Sequence, residues 1–171
     1  MIAWRDAGRR LRGAYDAAGF GPGPRAELRR VKHPGEILLE GHFLTLVARL
    51  GLGEHARSLA PVVWLYPSAA HHPSEEFQLG RYLRQEIFAD VKDADLPGRA
   101  RRIRQLVAAR DSDERSHHLR RLLVHAYQRN RRPVDWGAIT QDLVLFGDRT
   151  RRRWAESFFV RAAISQESPH V

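Results

Sequence analysis

Cysteine is absent from all 171 residues, which excludes a disulfide framework and any thiolate metal site. Stability therefore has to come from burial. A domain of this length buries about two-thirds of its unfolded surface, so a core without staples is expected. Lysine is almost absent as well: all but Lys32 and Lys92 of the 29 basic residues are arginine. Long apolar runs are also missing. Arg5, Arg9, Arg10 and Arg12 interrupt residues 1–18, so no apolar leader is expected there. No stretch of about 20 apolar residues exists to span a bilayer. The expectation is a protein of a reducing cytoplasm with no membrane partner.

Catalytic signatures are missing too. The sequence holds no G-x-x-x-x-G-K-[ST], G-x-G-x-x-G, H-E-x-x-H or G-x-S-x-G. His71-His72 and His117-His118 are adjacent pairs whose rings diverge on regular structure, so they are expected on a loop or an exposed helix face and not at a metal. Asp111, Asp113 and Glu114 could form a carboxylate pair, but acids in a first helical turn are expected from the helix dipole alone. No catalytic residue, cofactor or metal is therefore assigned.

What is present is positive charge carried by arginine. The formal net charge is +9. A GC-rich genome would raise the ratio of arginine to lysine, yet it would not produce the net excess. Guanidinium groups grip phosphate in a bidentate fork and stack on bases, so a nucleic-acid partner is the leading class.

Apolar residues recur at intervals of three and four, and sustained Val/Ile/Thr alternation is lacking, so the fold class is all-α, a compact multi-helix bundle. The first helix puts Trp4, Leu11 and Tyr15 on one stripe with Arg5, Arg9 and Arg12 as a basic face beside it. Gly19 to Pro24 breaks it, and a short helix from Arg25 to Lys32 follows, burying Leu28 and Val31 and stopping before Pro34. Phe43, Leu46, Val47 and Leu50 form the next stripe, closed by Gly51. Residues 54–66 are the most apolar and belong at the centre of the core, with Pro61 either kinking that helix or starting another. The polar loop Ser68 to Ser74 is the candidate boundary between two helical halves, 1–70 and 75–164, of a single domain. Helices are then expected over Glu76 to Ala89, burying Leu79, Leu83 and Ile87, and over Pro97 to Ala109, burying Ile103, Leu106 and Val107. Asp111 with Glu114 reads as a capping box opening a helix through Ala126. Asp135 and Asp148 are expected to cap the last two helices, which carry Trp136 and Trp154 in their apolar stripes. Residues 165–171 are expected to fray.

The free helix faces carry the arginines: Arg81 with Arg84, Arg101 with Arg104, and Arg149 with Arg152 and Arg153, at i, i+3 or i+4. Arg29-Arg30 and Arg120-Arg121 add adjacent pairs. Solvated faces balanced by local acids are the plain explanation. Against it, Arg120-Arg121 has no acid within five positions, and Arg149 to Arg153 has only Asp148 and Glu156 nearby. Such faces could merge into a groove for a phosphate backbone.

Several ordered segments resemble the CasB family, the small subunit of the type I-E CRISPR surveillance complex Cascade. Ala26-Glu27-Leu28-Arg29-Arg30-Val31 resembles that family's early basic segment. Leu79-Gly80-Arg81-Tyr82-Leu83 is similar to its L-G-R-x-L motif, Arg101-Arg102-Ile103-Arg104-Gln105-Leu106 to its R-R-x-x-x-L helix, and Leu119-Arg120-Arg121-Leu122-Leu123 to its L-R-R-L-L helix. Asp135-Trp136 resembles the D-W turn, and Leu143 onward, through Arg149, Arg151 and Phe158, resembles the family's end. The order and spacing run across residues 25–160. The resemblance implies a non-catalytic all-α subunit, present as two copies, packed along the guide-RNA-bearing subunits. Its partners would be target DNA strands and the guide RNA backbone, held without base readout so as to keep the R-loop open. Arg29, Arg30, Arg81, Arg102, Arg120, Arg121, Arg149 and Arg151 are the expected backbone contacts. Four phosphates of a single strand would cost on the order of fiftyfold in affinity between 50 and 200 mM salt.

Two other classes compete. A helix-turn-helix regulator would use Asp111 to Arg129 in its reader, but the long Arg129 to Pro133 connection argues against a tight turn. An interaction-only scaffold would bind no nucleic acid at all.

Overall fold

Residues 2–88 and 96–164 are described by a computed structural model. The expected helix end at Ala89, the segment from there to Asp95 and the tail after Ile164 lie outside the described residues, as does the side chain of Ile87. Nine α-helices are found among the described residues: α1 Trp4–Asp16, α2 Pro22–Arg30, α3 Gly41–Arg49, α4 Ala56–Leu65, α5 Leu79–Phe88, α6 Leu96–Ala108, α7 Ser112–Asn130, α8 Trp136–Val144 and α9 Asp148–Ile164. No strand occurs among those residues, only one isolated parallel bridge between His71 and Val134. The fold is all-α, as the periodicity requires.

Helix boundaries follow local chemistry, with some shifts from expectation. Pro22 stands in the first turn of α2, where its missing N–H would have had no helical partner, so the Gly-Pro-Gly-Pro stretch opens the helix instead of separating it from the last. A 3-10 turn at Pro34–Leu39 leads into α3, which ends as expected ahead of Gly51 at φ +69. Asp111 caps α7 by accepting from the Glu114 N–H at 2.7 Å, but Glu114 reaches the N–H of Arg110 and not that of Asp111, so the box is wider by one residue. Asp135 caps α8 through the N–H groups of Gly137 and Ala138. Asp148 is not a cap; it is already helical, and the first bond of α9 runs from the Arg151 N–H to the Gly147 carbonyl.

Helix α4 is the hub. Every residue from Leu59 to Tyr66 is buried, and Pro61 sits inside the helix, where it forgoes one backbone bond without ending it. Around α4 pack the turn at Pro34–Leu39, α8 and α7; α7 also meets α5 and α6, and α5 and α6 meet α9. The heaviest pairing is α1 on α8. Two glycines permit it. A Cβ on Gly8 would strike the Thr140 side chain, and one on Gly137 would come within 2.7 Å of Arg9 Cγ and meet the Arg5 carbonyl. Gly80 plays the same part for α5 on α9, where a Cβ would strike Ser157 and the Trp154 carbonyl.

The loop Ser68 to Ser74 is stitched to the far end of the chain. The Val134 N–H donates to the Ala70 carbonyl and the His72 N–H to the Val134 carbonyl, both at 3.0 Å. With α8 packed on α1, residues 1–70 and 75–164 interleave.

Candidate nucleic-acid interface

The arginines of this protein divide into those that hold the fold and those that do not. The basic face of α1 belongs to the first group. Arg9 Nη2 pairs with Asp135 at 2.8 Å and its Nη1 with Glu75 at 2.7 Å; Arg5 reaches Asp135 at 3.4 Å and donates to the Ser74 carbonyl at 2.9 Å. Burial alone would push the Asp135 carboxyl up. The hydrogen bond from Arg9 and the N–H groups of Ser74 and Gly137 outweigh it and hold Asp135 below the usual carboxylate range. Arg12 is buried, bonded to Asp16 at 2.7 Å and to the Tyr66 carbonyl at 2.8 Å, within cation–π distance of Tyr15, Tyr66 and Trp136.

Arg102, Arg120 and Arg121 come together. Helices α6 and α7 flank a groove of about 590 Å³ lined by these three together with Gln105, His118, Leu122, Val124, His125 and Gln128. Among the described residues no carboxylate lines it. Arg102 and Arg121 are exposed, and none of the three arginines makes an ion pair among the described residues. Arg120 is half-buried: its Cζ lies 4.1 Å from the Trp64 ring centroid, and burial lowers its pKa. The Trp64 ring is fixed by its Nε1–H to the Val31 carbonyl at 3.0 Å and by the edge of His117 at 4.8 Å.

The other expected contacts do not line this groove. Arg29 and Arg30 are exposed in the last turn of α2, with Arg29 near enough to Tyr15 to oppose the upward shift that burial gives its hydroxyl. Arg81 on α5 and Arg149 in the first turn of α9 are exposed. Arg151 is half-buried, donates to the Ala109 carbonyl at 3.3 Å and lies over Phe146. Arg153 does have an acidic partner, Asp142, eleven positions away, which also accepts from Trp154 Nε1 at 2.6 Å.

Sequence reading passed over Gln105, His118, His125 and Gln128. A signal existed: 118, 121, 125 and 128 step by three and four along one face of α7, and 102 and 105 do so on α6. The histidine pairs do diverge: His72 is exposed on its loop, whereas the other three rings are half-buried. His117 packs against Trp64 and His33 while His118 lines the groove. His71 accepts from the Trp136 N–H at 3.3 Å, and burial holds its pKa below the ordinary value. Among the described residues no cluster of three His, Asp or Glu could hold a metal ion, and no helix is long and apolar enough to cross a membrane.

The family model of CRISPR-associated protein Cse2 matches residues 24–159. The chain belongs to the Cse2 (CasB) family. That span begins two residues before the first motif segment and contains every arginine named above except those of α1. The fold is also similar to a chain in the crystal structure of E. coli Cascade bound to a PAM-containing double-stranded DNA target, at a TM-score of 0.69 and 26% identity, covering 90% of this chain and 96% of that one. No curated protein matches. Within a Cse2 chain the α6–α7 groove thus lies wholly inside the matched region, whereas the Arg5–Arg9–Asp135 cluster joins residues on both sides of its start.

Proposed function

We propose that this protein is the non-catalytic small subunit of a type I-E Cascade complex in antiviral defence, and that its α6–α7 groove holds the backbone of one nucleic-acid strand. Membership of the Cse2 family and likeness to a chain of DNA-bound Cascade support the subunit assignment. The observation that carries the groove is its lining among the described residues: Arg102, Arg120 and Arg121 with Gln and His side chains and no acid. Guanidinium groups without carboxylate partners are available to phosphates, and nothing in the lining is specialised for reading base edges. Single strands fit such a surface because backbone contact is independent of sequence.

The exposed Arg29, Arg30, Arg81 and Arg149 extend the proposed contact beyond the groove, and Arg151 belongs to it only through its partly exposed edge. Partners would be target DNA strands, the guide RNA backbone, the other Cascade subunits and a second copy of the chain, which implies a cytoplasmic site of action. Because exchanging a DNA duplex for a guide heteroduplex is nearly balanced in energy, a few phosphate contacts would be enough to hold the R-loop open.

The test is R-loop retention by a reconstituted complex carrying Arg102→Glu with Arg121→Glu, followed by gel shift. Arg120 is left in place because it is stacked on Trp64. Shortened retention with intact assembly is expected; unchanged retention removes the groove from the site.

A further inference from the structure

A second cationic site lies outside the groove, where the turn before α7 meets the start of α9. Arg115 is only 6% exposed, and its Cζ sits 3.5 Å from the centroid of the Phe146 ring; Arg151 Cζ is 5.3 Å from the same centroid. Arg151 donates to the Ala109 carbonyl, which ties the two elements together. The Arg115 side chain makes no hydrogen bond or ion pair among the described residues, and the Nε atoms of both arginines are buried without a partner. Burial and the neighbouring Arg151 both lower the pKa of Arg115, while Asp111 and Glu114 oppose them. Two guanidinium groups on one ring with a buried Nε each are a costly arrangement unless an anion completes it. Beside them Leu145 is 56% exposed, and its carbonyl accepts from Thr150 Oγ1 at 3.4 Å, so it belongs to the same corner.

We propose that this corner docks an acidic side chain, Asp or Glu, of a neighbouring protein chain, its carboxylate bridging Arg115 and Arg151 while Leu145 and Phe146 supply apolar contact. The proposal rests on the subunit reading in one respect, that the complex supplies the neighbour. Charge distribution favours a single carboxylate over a strand. Asp113, Glu114 and Asp148 are exposed in the first turns of α7 and α9, and Asp111 is exposed at the N-cap of α7. A strand carries a charge about every 3.4 Å and would press phosphates against those acids, whereas one side chain need not. The α6–α7 groove, with no acid in its lining among the described residues, makes the opposite case. Arginine beside an aromatic ring and an exposed leucine is also the composition of a protein interface centre.

Arg115→Met in the full chain is the test. The free variant should melt at or above the wild-type temperature, because methionine replaces an unpaired buried cation. Its incorporation into complex with the other Cascade subunits should fall by about tenfold or more, while binding of single-stranded DNA by the free chain stays at the wild-type level. Acetate, compared with chloride at equal ionic strength, should raise the melting temperature of wild type and not of the variant. Wild-type incorporation of the variant, or loss of DNA affinity with incorporation intact, would overturn the docking site. A variant that melts below wild type makes Arg115 a structural residue and also overturns it. If wild type itself failed to assemble, the subunit reading would fall, and the acetate arm would still decide the site: no stabilisation of wild type over the variant rejects it.

Discussion

Helix α1 and helix α7 carry equally basic faces, yet one is enclosed by the protein and the other is left open. Arg5 and Arg9 converge on Asp135 and Glu75, and Arg12 is walled in by Tyr66 and Trp136. Among the described residues, neither Arg121 on α7 nor Arg102 facing it on α6 pairs with an acid. The difference lies in distant partners and not in the local pattern of charge. Asp135 is 126 positions from Arg9 and delivers one carboxylate to two guanidiniums while capping α8.

The largest way to break this comparison is to remove that carboxylate. Asp135→Ala leaves Arg5 and Arg9 without their buried partner and uncaps α8, so a loss of about 3–5 kcal/mol is expected in urea unfolding. A loss under about 1 kcal/mol would mean that the α1 arginines are solvated like those of α7. Acid should act on the same bond. Asp135 has a lowered pKa in the fold, so its contribution is complete above the ordinary aspartate value of about 3.9 and is lost as the pH falls from there through the folded value. The acid limb of a stability profile should therefore flatten in Asp135→Asn.

The next effect sharpens the open side. Arg102→Glu with Arg121→Glu should keep stability within about 0.5 kcal/mol per site and lower the salt slope of single-strand binding by roughly 0.7 for each phosphate the groove no longer holds. An unchanged slope would separate these arginines from the strand. Adjacent residues should then part company: Arg120→Ala gives up the stacking on Trp64 and costs about 1–2 kcal/mol, whereas Arg121→Ala changes stability by less than about 0.5 kcal/mol. Equal effects in thermal melts would contradict the division between them.

Much of this was legible in the sequence because it is local. The stripes of α3, α4 and α7, the Asp111 and Asp135 caps and the core positions of Trp136 and Trp154 depend on neighbours three or four residues away. So does the α7 face with Arg121. What escaped was whatever depends on residues brought together by folding. Gly8 and Gly137 let α1 lie on α8, and nothing local in Arg5 or Arg9 announces Asp135. Arg120 and Arg121 read as one pair, but a helix turns about 100° per residue, which lays Arg120 on Trp64 at the groove wall and leaves Arg121 exposed in it. His117 and His118 part in the same way.

The smallest predicted effect comes from the enclosed histidines. Burial lowers the pKa of His71 and of His117, so the unfolded chain binds their protons first. Their contribution is full above about 6.5 and is lost as the pH falls from there through the folded values. Urea midpoints at pH 7.5 and 5.5 check it; equal midpoints would place both rings in solvent-like surroundings.

Arginine modification by phenylglyoxal, read by mass spectrometry with and without bound single-stranded DNA, tests the central division most directly. Arg102 and Arg121 should react in the free protein and be protected by DNA, while Arg9 and Arg12 stay unreactive in both states. Protection confined to arginines outside the α6–α7 groove, with Arg102 and Arg121 reacting equally in both states, would contradict the account.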